Sequence, residues 1–455
     1  MVEVLTLDTP ELGDRSYLIH DGEQAIVVDP QRDTDRVLEL ASAAGVKIRC
    51  VAETHIHNDY LSGGPDLSQR LGAPYLVGAA DQVEFPRQSV HPGDLVAVGT
   101  MHLQALATPG HTPTHLAYLL SSDGREQAVF SGGSLLYGAL GRTDLVSASR
   151  SAELARAQLR SAHGLLALED ELRLYPTHGF GSFCASAVAS EVGAQGTIGD
   201  ERRGNPAAAA RDEEAFVRDL LGGYTAYPTY YAHMGPGNRS GAAAPDLTLP
   251  PALGLAEVGQ RIRQRQWVID LRTRLAFGAD HVRGTLNFPS GLHLATYVGW
   301  VVPWKAPLSI VGSAQEEVLR ARRDLSRIGV DWLAGWCPTP LAELEAELGR
   351  SSYQVTDFAG LARAMSSGAV QVLDARRPDE WRQGHVRGSI NIHLPDLPAR
   401  LAELPRHPTW VHCTAGYRAS IAASLLDREG WEVVLVDDDF GRAPETGLPL
   451  ELPAS

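Results

Sequence analysis

A chain of 455 residues is too long for one ordinary hydrophobic core, so two to four domains are expected. Apolar residues at 44 % and charged residues at 21 % are normal for a soluble globular protein, and a formal charge of −15 argues against nucleic acid or anionic membranes as partners. No apolar run approaches the roughly 20 residues that span a bilayer. Residues 1–8 carry no visible secretory signal, and four scattered cysteines without a Cys-x-x-Cys pair fit a reducing cytosol.

Taken in order, residues 4–7, 17–20 and 25–28 are β-rich and separated by Asp-Gly or Pro signals, which predicts strands. Val37, Leu38, Leu40 and Ala41 fall at helical spacing over 35–44, with Gly45 as the stop. The strand-like run Ile48-Arg49-Cys50-Val51-Ala52 then leads into Thr54-His55-Ile56-His57-Asn58-Asp59-Tyr60. Two histidines one residue apart, then an acid two further on, can turn several ligand atoms toward one point beyond a strand end. Neutral imidazole and carboxylate suit zinc and iron. Two more histidine loops follow apolar runs: Pro109-Gly110-His111-Thr112-Pro113-Thr114-His115 and Tyr175-Pro176-Thr177-His178-Gly179. A helix is expected from Ser151, as N-cap, to Leu166, and another over 207–221. The aromatic strip 224–231 reads as packing of an extension onto the first domain, and 241–251 is the best linker in the chain.

Beyond the linker lies an internal repeat. Val268-Ile269-Asp270-Leu271-Arg272 matches Val372-Leu373-Asp374-Ala375-Arg376, and His281-Val282-Arg283-Gly284-Thr285-Leu286-Asn287 matches His385-Val386-Arg387-Gly388-Ser389-Ile390-Asn391 at the same offset. A unit of about 100 residues is too long for a solenoid repeat, so this is a duplicated domain. The second copy carries Val411-His412-Cys413-Thr414-Ala415-Gly416-Tyr417-Arg418. A cysteine closing a strand, with a short loop into a helix, sits where backbone N–H groups and the helix dipole favour an anion. In the first copy Gly312 falls in the cysteine slot and Glu317 in the arginine slot, and Cys337 lies well beyond the loop.

The histidine loops, together with Ser16-Tyr17-Leu18-Ile19, Ala25-Ile26-Val27-Val28-Asp29-Pro30, Val129-Phe130-Ser131-Gly132-Gly133 and Gly141-Arg142-Thr143-Asp144-Leu145, resemble the metallo-β-lactamase superfamily, within it the glyoxalase II and persulfide dioxygenase branch. The duplicated Asp-x-Arg and His-x-x-Gly-[Ser/Thr]-x-Asn motifs resemble rhodanese. Together they imply an α/β multidomain chain: an αββα sandwich over 1–240, a linker over 241–253, a rhodanese-like domain without its cysteine over 254–345, and a complete one over 352–455, both with central parallel sheets.

The resemblance also implies a metal site on His55, His57 and His111. Asp59 and His178 would be outer partners or a substitute ligand, and His115 and Asp144 structural groups. Tyr60 stands where the superfamily has a histidine and Gly133 where it has the bridging aspartate, so one divalent metal per chain, Fe(II) or Zn(II), is expected; a metal-free domain stays open. Cys184, six residues past His178, reads equally as a sulfur relay or a small buried residue. In rhodaneses the residue matching Cys413 is the nucleophile that becomes a persulfide. Four residues separate Cys413 from Arg418, the short loop of sulfur rather than phosphate transfer. The expectation is a cytoplasmic sulfane-sulfur enzyme: a persulfide dioxygenase-like metal domain coupled to a rhodanese sulfurtransferase. The alternatives are a zinc-dependent glyoxalase II-like thioester hydrolase with that sulfurtransferase, or a non-catalytic sulfur carrier. Expected partners are a low-molecular-weight persulfide, thiosulfate or a glutathione-like thiol, with a homodimer left open.

Overall fold

A computed structural model describes residues 2–186, 196–312 and 314–452. The chain forms two compact units, Met1–Asp246 with Ser326–Gly329, and Leu247–Leu325 with Val330–Ser455.

In the first unit two six-stranded sheets lie face to face. One runs in chain order through Glu3–Thr9, Asp14–His20, Gln24–Val28, Lys47–Ala52, Tyr75–Gly78 and Gln88–Val90. The other comprises Leu95–Val98, Met101–Ala107, Leu116–Ser122, Arg125–Gly132, Arg173–Pro176 and Gly196–Thr197. Strand periodicity of two sorts their side chains. Tyr17 and Ile19 enter the core between the sheets with Met101, Leu103, Ala105, Tyr118 and Phe130, whereas Leu18 points the other way, onto Val37 and Ala41 of the helix Asp35–Ala44. The far face of the second sheet is covered by Leu159, Ala162 and Leu165 of the helix Ser151–Leu166. The layers are therefore helix, sheet, sheet, helix.

Three local expectations change. Ser151 is the first helical residue and Arg150 the cap, with no side-chain cap bond. The helix expected over 207–221 is two, Pro206–Ala209 and Glu213–Gly222, because the Asp212 carboxylate accepts from the N–H groups of Glu214 and Ala215 and starts a new one. The aromatic strip ends in a helix not foreseen, Tyr231–Ser240, which tolerates Pro236 in its interior.

The second unit contains the repeat as two matching parallel sheets. One is ordered Leu286–Asn287, Trp267–Asp270, Leu308–Val311, Leu333–Trp336; the other Gln354–Thr356, Val433–Val436, Thr409–His412, Gln371–Asp374, Ile390–Asn391. The repeated polar residues are braces. Arg272 grips the Asp270 carboxylate and Arg376 that of Asp374. Asn287 and Asn391 each donate to the carbonyls on either side of that turn. His281 donates to Phe277 O while stacked on its ring at 3.9 Å, as His385 does with Trp381 at 3.6 Å. Asp270 pairs with Val311 in register and Asp374 with His412, so the next residues, Gly312 and Cys413, occupy equivalent slots. Among the described residues no helix is long and apolar enough to cross a membrane.

Candidate metal centre and thiol site

The metal candidates sit on loops that leave the ends of neighbouring strands, and one carboxylate ties two of these loops together. Asp29, with φ of 51°, follows the strand Gln24–Val28. It accepts the Thr54 N–H and hydroxyl, both at 2.7 Å, and the Thr177 hydroxyl. Burial works against its ionisation, yet His57 and these hydrogen bonds outweigh it and bring the carboxyl to about 2. Asn238, on the unforeseen helix, donates to the carbonyls of His57 and Tyr60 at 2.8 Å each and accepts from the Ser62 N–H, clamping the motif from outside.

All the histidines involved are buried. Ring centroids of His55 lie 4.1 Å from His57, 4.8 Å from His111 and 5.3 Å from His178, and His111 and His178 are also 5.3 Å apart. One potential ligand atom from each of His55, His57 and His178 lies within 4.8 Å of the others, and so do those of His111, His178 and Cys184. His178, expected at the margin, thus joins the two halves, and Cys184 faces the same point.

Each ring has one nitrogen held by a neighbour. His55 Nδ1 meets Thr54 Oγ1 at 2.9 Å, and His57 Nε2 donates to Glu53 at 2.9 Å. His111 Nδ1 donates to Arg142 O at 2.8 Å, and His178 Nδ1 donates to Asp14 at 2.8 Å. The other nitrogens of His57 and His111, Nδ1 and Nε2, are buried without a hydrogen-bond partner among the described residues. Imidazoles fixed through one nitrogen, with the second left over, are what a metal site requires. The donor set fits one divalent ion. It does not fit a second at the superfamily's other position. Tyr60 is stacked on His57 at 4.3 Å, and a Cβ on Gly133 would stand 2.2 Å from His111 Cδ2, so the imidazole fills the space a side chain at 133 would need.

The charges are arranged in opposition. Burial disfavours a charged ring throughout, holding His55 well below its ordinary value and His111 at about 3. Against the same burial, Asp29 and Glu53 raise His57 to about 9, and Asp59 and Asp14 hold His178 well above normal. Burial, then the neighbouring Asp59, raises Asp14, while Asp59 itself, despite its burial, stays low through His178. His115 uses both nitrogens on the Gly133 N–H and Thr108 and is structural; Asp144 is held bidentately by Arg142. Asp14 and Glu53 carry no motif of their own in the sequence; only a site drawn from several strands brings them in.

In the second unit Cys413 closes the strand Thr409–His412, and Gly416, with φ of 82°, turns the chain into the helix Tyr417–Arg428. The thiol residue is 2 % exposed, whereas the next two residues, Thr414 and Ala415, are exposed. Arg418 donates two hydrogen bonds to Glu380, at 2.6 and 2.8 Å, and one to Thr414, and Glu380 also accepts from the Thr414 hydroxyl at 2.7 Å. The loop cation is thus neutralised by a carboxylate that sequence reasoning passed over.

A four-layer α/β sandwich with histidines converging from its strand ends defines a metallo-hydrolase fold, here joined to a duplicated α/β fold with parallel sheets. Residues 11–178 match the Metallo-beta-lactamase superfamily and 358–441 the Rhodanese-like domain. The chain is 34 % identical to the hydroxyacylglutathione hydrolase of Maricaulis maris over 184 residues, 39 % of this chain and 67 % of that protein. It is 28 % identical over 182 residues to the human mitochondrial persulfide dioxygenase ETHE1, 39 % of this chain and 68 % of that protein. It spans about half the length of other hydroxyacylglutathione hydrolases that it matches. A crystal structure of a metallo-beta-lactamase from Staphylococcus aureus subsp. aureus COL superposes with a TM-score of 0.65 at 29 % identity, covering 74 % of this chain and 98 % of that one. The chain belongs to the metallo-β-lactamase superfamily, with relatives among glyoxalase II and persulfide dioxygenase proteins, and carries a C-terminal rhodanese-like domain.

Proposed function

We propose that the chain handles sulfane sulfur. The C-terminal domain transfers it through a persulfide on Cys413, and the N-terminal domain oxidises a low-molecular-weight persulfide, such as that of a glutathione-like thiol. The observation that carries this reading is the loop over 413–418, in which a thiol ends a strand and a helix starts directly beyond it. The Cys413 thiolate attacks the outer sulfur of thiosulfate. The donor S–S bond breaks, its electron pair departs with sulfite, and the sulfur stays as the Cys413 persulfide anion. With Arg418 neutralised by Glu380, the N-terminus of the helix Tyr417–Arg428 supports that charge.

In the first domain His55, His57, His111 and His178 would hold the ion, which when bound supplies Lewis acidity or O₂ activation. Thr54, Glu53, Arg142 and Asp14 orient those four rings through their other nitrogens. A second reading, a zinc-dependent thioester hydrolase, is favoured by one observation. The donor groups built on His55 and His111 contain imidazoles and a thiol, while the carboxylates grouped with His178 and His57 are engaged on His178 Nδ1 and His57 Nε2; an iron oxygenase face uses two histidines and one carboxylate. Element analysis of the purified protein, with O₂ uptake on glutathione persulfide, tests this. Iron with uptake is expected; tightly held zinc without uptake overturns the oxygenase reading in favour of hydrolysis, and a metal-free protein leaves a sulfur carrier.

A further inference from the structure

Cys184 lies in neither the histidine motifs nor the sulfurtransfer loop, yet it is fully buried among the metal candidates. Its place is set by the same residue that sets His111, Arg142, through its backbone. The Arg142 N–H donates to Cys184 O at 2.8 Å, and Arg142 O accepts from His111 Nδ1 at 2.8 Å. The Ser182 hydroxyl accepts from the Cys184 N–H at 3.2 Å while donating to Asp59, also at 3.2 Å, which fixes the turn from the other side. Beside this thiol His111 Nε2 is buried without a partner among the described residues. The carboxylate that the superfamily places on this side of the centre cannot be rebuilt at Gly133, where His111 occupies the room.

We propose that Cys184 is a metal ligand, its sulfur supplying from another loop the anionic donor that position 133 cannot. Three or four imidazoles with one thiolate suit a borderline divalent ion. On binding, the Sγ–H bond breaks and an Sγ–metal bond forms from the sulfur electron pair. One proton passes to solvent, with no change of oxidation state. The proposal rests on the metal-dependent reading of the first domain but is tested separately from it.

The test loads full-length protein, stripped of metal, with Co(II). Wild type is expected to show ligand-field bands together with a near-ultraviolet thiolate-to-cobalt charge-transfer band. Cys184→Ser should keep the first, lose the second, and hold the ion at least about 10-fold more weakly, since even outer partners of a ligand cost that much. Cys184→Asp should recover retention without the charge-transfer band, and Cys413→Ser should leave the band intact. Ligand-field bands without charge transfer in wild type would overturn the proposal alone. Charge transfer that survives in a folded Cys184→Ser protein would do the same. No cobalt binding at all would overturn it together with the metal-dependent reading.

Discussion

The Glu380–Arg418 pair gives a quantity that can be worked from the structure. The Glu380 carboxylate accepts two hydrogen bonds from a buried guanidinium and one from Thr414. Burial raises its pKa, but Arg418 and Thr414 outweigh that and lower it from 4.5 to about 2. At about 1.4 kcal/mol per unit this is roughly 3 kcal/mol, and partial exposure of the pair reduces it to about 2 kcal/mol. Because the folded value lies below the unfolded one, the contribution is complete above pH 4.5 and is lost as pH falls toward 2. Glu380→Gln should therefore destabilise the protein by about 2 kcal/mol at neutral pH, and the gap should close on acidification. Urea unfolding of both proteins over a pH series, followed by tryptophan fluorescence, measures it. A gap independent of pH, or none at neutrality, would refute the assignment of Glu380 as the counter-ion.

Cys413→Ser should reduce thiosulfate-dependent sulfur transfer to background; persistent transfer would retire the nucleophile. Gly416→Ala forces a side chain into left-handed backbone, with its Cβ 1.8 Å from Asp437 Oδ1, and should cost at least about 1–2 kcal/mol and most of the transfer rate. Gly133→Asp should displace His111 rather than create a second metal position, lowering metal retention in equilibrium dialysis; two ions per chain would contradict the packing described. Asn238→Ala orphans two buried carbonyls and the Ser62 N–H, and should lower stability in thermal unfolding by about 2–3 kcal/mol.

What could be read from the sequence was what local patterning controls. The strands around 17–28, the helix Asp35–Ala44 with its left-handed Gly45, and the three histidine loops all follow from spacing and punctuation. The equivalence of Gly312 and Cys413 came from the repeat and agrees with the strand register. What escaped depends on residues distant in the chain. Asp14 matters only because the fold sets it against His178; Glu53 lies four residues before His57 and escaped for another reason, since spacing does not show which way that ring turns its Nε2. The helix Tyr231–Ser240 was hidden by Gly235-Pro236-Gly237, which argue against a helix; tertiary packing and the bonds of Asn238 override that propensity.

The two copies of the repeat are bonded to each other as well as alike in sequence. The Asn287 N–H donates to Ser424 Oγ, His281 donates to Asp427, and the Tyr417 hydroxyl donates to Pro289 O. Scission between them would strip the reactive helix of partners along its length, from the residue beside Arg418 to its last turn. Held together by these bonds, the two copies should melt as one cooperative body.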